Sequence, residues 1–89
     1  MVKAMIHFMK TQKAIKKAFL RKMIKDDEMS YLVIVDFIGD KETIFKGIAD
    51  AALPYLNGMY LDLHEADKWA MDICKDVKPF YKKGLLGLI

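Results

Sequence analysis

Apolar residues recur along this chain in two rhythms, and the switches between them mark out its elements. Val2, Met5, Ile6, Phe8 and Met9 fall on one side at helical spacing with Lys3, Lys10 and Thr11 opposite, which predicts an amphipathic helix over residues 2–12. Residues 15–24 fit either rhythm. As a helix, Ile15, Phe19, Leu20, Met23 and Ile24 extend the first stripe, but Lys13 and Lys16 then fall inside its apolar arc. As a strand, Ala18, Leu20 and Ile24 share one face and Ile15, Phe19 and Met23 the other. Periodicity alone does not decide between them. Asp26-Asp27-Glu28 breaks the pattern, and Ser30–Ile38 (SYLVIVDFI) follows as the clearest strand, rich in β-branched and aromatic residues. Both its faces are apolar, Tyr31, Val33, Val35 and Phe37 against Leu32, Ile34 and Ile38, which predicts a central strand covered on both sides.

Gly39-Asp40 ends that strand, with Asp40 placed to cap the next helix. Ile44, Phe45, Ile48, Ala52 and Tyr55 mark this helix from about residue 41 to 53; Pro54 disrupts its last turn and Asn57-Gly58 stops it. Met59–Leu63 alternates as a short strand, parallel to Ser30–Ile38 if both join one sheet through a right-handed crossover. His64–Asp67 reads as a loop with Asp67 a second cap. Trp69, Ala70, Ile73, Cys74 and Val77 form the buried stripe of a last helix that Pro79 ends, and Trp69 is expected to be mostly buried. The fold class predicted is α+β, a small mixed sheet of about three strands with helices packed on it, in the order α-β-β-α-β-α.

Length and composition narrow what such a fold can do. Eighty-nine residues, 54% of them hydrophobic and 30% charged, make one small domain that is neither fibrous nor disordered. Its radius of gyration is expected at ~12 Å. A domain this small hides only about 60–68% of its unfolded surface, so its core is thin and leaves little room for an enclosed active site. The single cysteine, Cys74, excludes an intrachain disulfide framework and a Cys-rich zinc site. The longest apolar runs, Tyr31–Val35 and Gly84–Ile89, fall far short of the ~20 residues that span a bilayer. No membrane segment or signal peptide is read, and a reducing cytoplasm is the expected setting.

The net charge of +3 conceals a strong segregation. Residues 1–25 hold eight basic side chains (Lys3, Lys10, Lys13, Lys16, Lys17, Arg21, Lys22 and Lys25) and no acid. Residues 26–72 hold eleven acids against Lys41, Lys46 and Lys68, and residues 73–89 hold four lysines against Asp76. A basic surface of this kind steers anionic partners. The plainer reading is a solvated lysine face that pairs with the acidic middle of the same chain.

The order of these signals resembles a known family. SYLVIVDFIGD, then IADAALPYLNG, then KDVKPFYKK, with IKKAFLRKM upstream, is similar to the C-terminal domain of the bacterial SseB proteins, named for enhanced serine sensitivity. The likeness spans about residues 13–83 of a single domain taken as 1–89, with 84–89 an apolar tail. It implies that Ile15–Ile24 is a strand in a hairpin with Ser30–Ile38. It also implies that Pro79, Phe80 and Tyr81 are a packing or binding signature. Members usually carry a second, N-terminal SseB domain, so the chain is either a free-standing copy or a piece of a longer protein. The family brings no catalytic residues and no cofactor.

Asp62, His64, Glu65 and Asp67 gather near the C-terminal end of a strand, where open α/β sheets hold ligands. No HExxH or EF-hand spacing is present, and caps and loop roles account for these residues. Cys74 sits late in a helix on its apolar side, so a buried thiol is expected rather than a nucleophile. Ser30 lies outside any GxSxG elbow, His7 has no acidic neighbour, and Gly39 and Gly47 stand alone rather than in a phosphate loop. No catalytic, cofactor or metal residues are assigned. The candidate partner-binding residues are Phe80, Tyr81, Lys82, Lys83, Leu85, Leu86 and Leu88: two aromatics beside two cations, then an uncharged tail. The expected function is a non-catalytic protein-interaction or regulatory module with an unknown protein partner, a homodimer included. The alternative is a nucleic-acid-binding domain using the basic first quarter and Phe80–Lys83, although no specific nucleic acid is expected.

Overall fold

The computed structural model describes residues 1–83, and their elements follow the predicted order. Helix α1 (Val2–Lys10) leads to strands β1 (Ile15–Lys25) and β2 (Glu28–Phe37), helix α2 (Lys41–Ala52), strand β3 (Tyr60–Glu65), helix α3 (Lys68–Ile73) and strand β4 (Tyr81–Lys82). The class is α+β as expected, but the sheet has four strands, in the order β3-β2-β1-β4. The fourth, β4, is only two residues long and so has no alternation to read.

The segment that fitted either rhythm is a strand. β1 and β2 pair antiparallel, with Phe19 opposite Ile34 and Lys25 opposite Glu28, as the family resemblance implied. Asp26 and Asp27 make the turn with φ of 52° and 65°. Two left-handed residues in a two-residue loop match the twist of the flanking strands. β3 joins β2 on its other side in parallel, Val33 opposite Leu63, with α2 between them in the chain.

Alternation divides the sheet residues between two layers. Ala18, Leu20, Val33, Val35, Leu61 and Leu63 pack with Met5 and Met9 of α1 and Ile44, Ile48 and Ala52 of α2. Phe19, Leu32 and Ile34 pack on the opposite side with Ala70 and Cys74 at α3. β2 is therefore covered on both faces, as its sequence predicts. The Cα radius of gyration is 12.6 Å.

Several boundaries differ from the sequence reading. α1 stops at Lys10, and α2 gives way after Ala52 to a 3-10 turn over Leu53–Tyr55 that takes in Pro54. His64 and Glu65 belong to β3 rather than to a loop, because the parallel ladder carries on to Ile34 and Val35 of β2. Ile38 lies past the end of β2 and is exposed. The largest correction is Trp69, which is 56% exposed. Ala70 and Cys74, small residues one turn apart, are what α3 presses against the sheet. Trp69 lies about 100° around the helix from Ala70 and instead meets the His64 ring edge-on, with centroids 5.1 Å apart.

Candidate functional site

The segment Phe80–Lys83 is stitched to the start of β1. The Phe80 amide donates to the Ala18 carbonyl at 2.9 Å and the Lys83 amide to the Lys16 carbonyl at 2.7 Å. Tyr81 points inward, 4% exposed, among Met5, Met9 and Ile15. Its hydroxyl donates to the Met9 carbonyl at 3.3 Å, where α1 ends. Phe80 is half-buried against the same core. Both rings therefore serve the fold, and Lys82 and Lys83 remain at the surface. Leu85, Leu86 and Leu88 lie outside the described residues.

What the sequence could not show is which cations these two lysines join. Lys16 and Lys17 of β1 line a shallow cleft with Lys82, Lys83 and Asp36. The Lys83 ammonium also donates to the Lys13 carbonyl. The ion pairs among the described residues are Lys41–Glu65 and His64–Asp67, and neither involves this group. The Lys17 ammonium stands 5.8 Å from the Phe19 ring centroid. Pairing over a separation of some 65 residues brings the cations together, and no local spacing signals it.

The rest of the basic first quarter divides. Lys22 takes the sheet face toward α1 and α2, and Lys17 and Arg21 the face toward α3, while Lys16 falls at the bulge between Ile15 and Lys17. The Arg21 guanidinium donates to the Ile73 carbonyl at 2.7 Å. Asp26, Asp27 and Glu28 sit at the far tip of the hairpin, roughly 25 Å from Lys17 at the usual rise per residue. Charge segregated along the chain is thus segregated in space. The end of β1 at Lys16 and Lys17 is rich in cations, and the three carboxylates of the tip lie beyond Lys25.

A family model for the SseB protein C-terminal domain matches residues 1–83, all of the elements just described. The chain belongs to that family. No curated protein and no solved structure matches it. The family match takes in α1, which the likeness read from the sequence had left out. In this SseB C-terminal domain, α1 is held by the Tyr81 hydroxyl and by core packing of Met5 and Met9, so it is integral to the domain.

The acidic cluster has structural employment. Asp67 caps α3, its Oδ1 accepting from the Ala70 amide at 2.8 Å while Oδ2 lies 3.0 Å from His64 Nε2. The Ala70 amide, with help from His64, holds the Asp67 carboxyl below its ordinary range, against a smaller opposing effect of desolvation. Glu65 pairs with Lys41 at 3.0 Å. Among the described residues no group of three or more His, Cys, Asp and Glu is placed to hold a metal. Cys74 is buried, and burial pushes its thiol up, with Arg21 opposing. A thiol kept protonated is a poor nucleophile. His7 is exposed on α1.

Proposed function

We propose that this SseB C-terminal domain is a non-catalytic protein-interaction or regulatory module of the cytoplasm that holds an acidic protein partner at its lysine-rich end. What supports the reading is the gathering of Lys16, Lys17, Lys82 and Lys83 around one cleft that holds a single carboxylate, Asp36 opposite Lys17, with no carboxylate within ion-pair distance of them among the described residues. Four cations beside one carboxylate leave an excess of positive charge that a further opposite charge would relieve. No helix among the described residues is long and apolar enough to cross a membrane.

The test is capture from host lysate on the immobilised domain, read by mass spectrometry, beside the charge-reversed Lys16→Glu/Lys82→Glu variant. A protein retained by the wild type and lost by the variant supports the module. Identical captures by both overturn the lysine end as its site.

The second reading, a nucleic-acid-binding domain, draws on the same cations and the Lys17–Phe19 contact. The division of Lys22 from Lys17 and Arg21 across the sheet weighs against it, since a strand of nucleic acid needs its cations along one track. Sub-micromolar, sequence-selective binding at physiological salt would reverse this ranking.

A further inference from the structure

β1 is an eleven-residue strand with a full partner on one side only. Toward β2 it pairs from Ile15 to Lys25, whereas toward β4 it pairs only at Lys17 and Ala18. The carbonyls of Lys16 and Ala18 accept from the β4 side. Main-chain polar groups alternate sides along an antiparallel strand, so those of Leu20, Lys22 and Ile24 point the same way. No backbone group meets them among the described residues. β4 is not able to extend over them, because Pro79, opposite Leu20 in the same register, has no N–H to donate. Among the described residues the result is a bare ladder that starts beside the lysine end and runs toward the hairpin tip.

A bare edge invites pairing unless something discourages it. Here the discouragement is charge of one sign: β1 holds no Asp or Glu, and Arg21 and Lys22 are both exposed. Between these cations and the strand's end stand Met23, half-buried, and Ile24, 73% exposed. A second copy is the wrong occupant. Antiparallel self-pairing centred on Lys22 sets the two Lys22 side chains opposite one another, and like charges directly opposite are destabilising. An acidic strand meets opposite charge at Arg21 and Lys22, provided its carboxylates stay at those positions, short of the acidic tip at Asp26–Glu28.

We propose that the outer edge of β1, from Leu20 to Ile24, is a strand acceptor for an extended acidic segment of a partner protein; this rests on the module reading above. The cross-strand positions specify the segment. Lys22 and Arg21 call for two adjacent carboxylates, one on each face of the added strand. Leu20 on one side and Met23 and Ile24 on the other call for apolar residues flanking that acidic pair.

The test begins with a random twelve-residue peptide display library panned on the full chain. Enriched clones are expected to share an adjacent acidic pair flanked by apolar residues. The synthetic form of one such clone is expected to protect the amides of Leu20, Lys22 and Ile24 from hydrogen exchange. N-methylation of its alternate amides should abolish binding on one phase and spare it on the other. Lys22→Glu should weaken it by about tenfold, and Lys22→Gln less, with circular dichroism of both unchanged. Enrichment of no such motif overturns the proposal, as does protection confined to Lys82 and Lys83. Displacement of the peptide by an equal concentration of single-stranded dT12 overturns it in favour of nucleic acid. Dimerisation of the peptide-free chain with those three amides already protected overturns it in favour of a second copy. A lysate partner that depends on Lys16 and Lys82, found without such a motif, sinks the strand acceptor and leaves the module standing. The motif without a lysate partner does the reverse.

Discussion

The ring of Phe8 on α1 lies over Gly47 on α2 so closely that a Cβ at Gly47 would come within 2.0 Å of the ring's Cζ. This glycine is where the two helices approach. Glycine inside a helix costs about 1 kcal/mol relative to alanine, and overpacking a formed contact costs about 1–3 kcal/mol. The second effect is the larger. Gly47→Ala is expected to lower stability by about 1 kcal/mol in urea unfolding, and pairing it with Phe8→Leu should recover part of that loss, as groups in contact couple.

Tyr81 ties the last strand to the first helix through the Met9 carbonyl. Tyr81→Phe keeps the ring and removes one hydrogen bond from a carbonyl that still accepts from the Gln12 amide at 3.0 Å, a loss of about 0.5–1 kcal/mol. Tyr81→Ala also empties the core position, about 3–5 kcal/mol, a large part of the whole stability of a domain this size. Chemical denaturation of the two variants should separate them by this margin. Equal losses would mean the hydroxyl, not the ring, carries the contact.

The hairpin turn asks two aspartates to adopt left-handed backbone at φ of 52° and 65°. Asn-Gly meets the same geometry with less strain. The Asp26→Asn/Asp27→Gly variant is therefore expected to gain about 0.5–1 kcal/mol, seen as a higher melting temperature. A lower one would show that the two carboxylates stabilise the tip.

Trp69 is exposed beside His64 rather than buried. Trp69→Ala should cost less than about 1.5 kcal/mol, well below a core tryptophan's 3–5 kcal/mol. The wild-type indole should emit at long wavelength and be readily quenched by acrylamide. Blue-shifted, unquenched emission would place it in an apolar contact.

The depressed carboxyl of Asp67 sets the sign of an acid response. A group whose folded value lies below its ordinary 3.8 stabilises the fold in full above that value, and the contribution is lost as pH falls through the lower folded value. Asp67→Asn should therefore melt lower than the wild type at neutral pH, and the gap should narrow on acidification below pH ~4. A gap that widens toward acid would contradict the cap.

The sequence by itself determined the elements whose residues speak locally: α1 and α2 by their helical stripes, the central β2 by two apolar faces, and the breaks before α2 and before β3 by Gly39-Asp40 and Asn57-Gly58. Burial of alternate or periodic positions is a property of neighbours in the chain, so periodicity reports it. Family likeness added β1 as a strand, where periodicity was silent. The tertiary structure alone decided the rest. A two-residue β4 exists only because β1 is there to pair with it. Whether Trp69 or Ala70 faces the sheet depends on how near α3 comes to Phe19 and Ile34, a distance that two small residues permit and no pattern encodes. The bare edge of β1 and the lysines gathered beside it come from residues some 65 positions apart, and long-range pairing of that kind leaves no trace in local spacing.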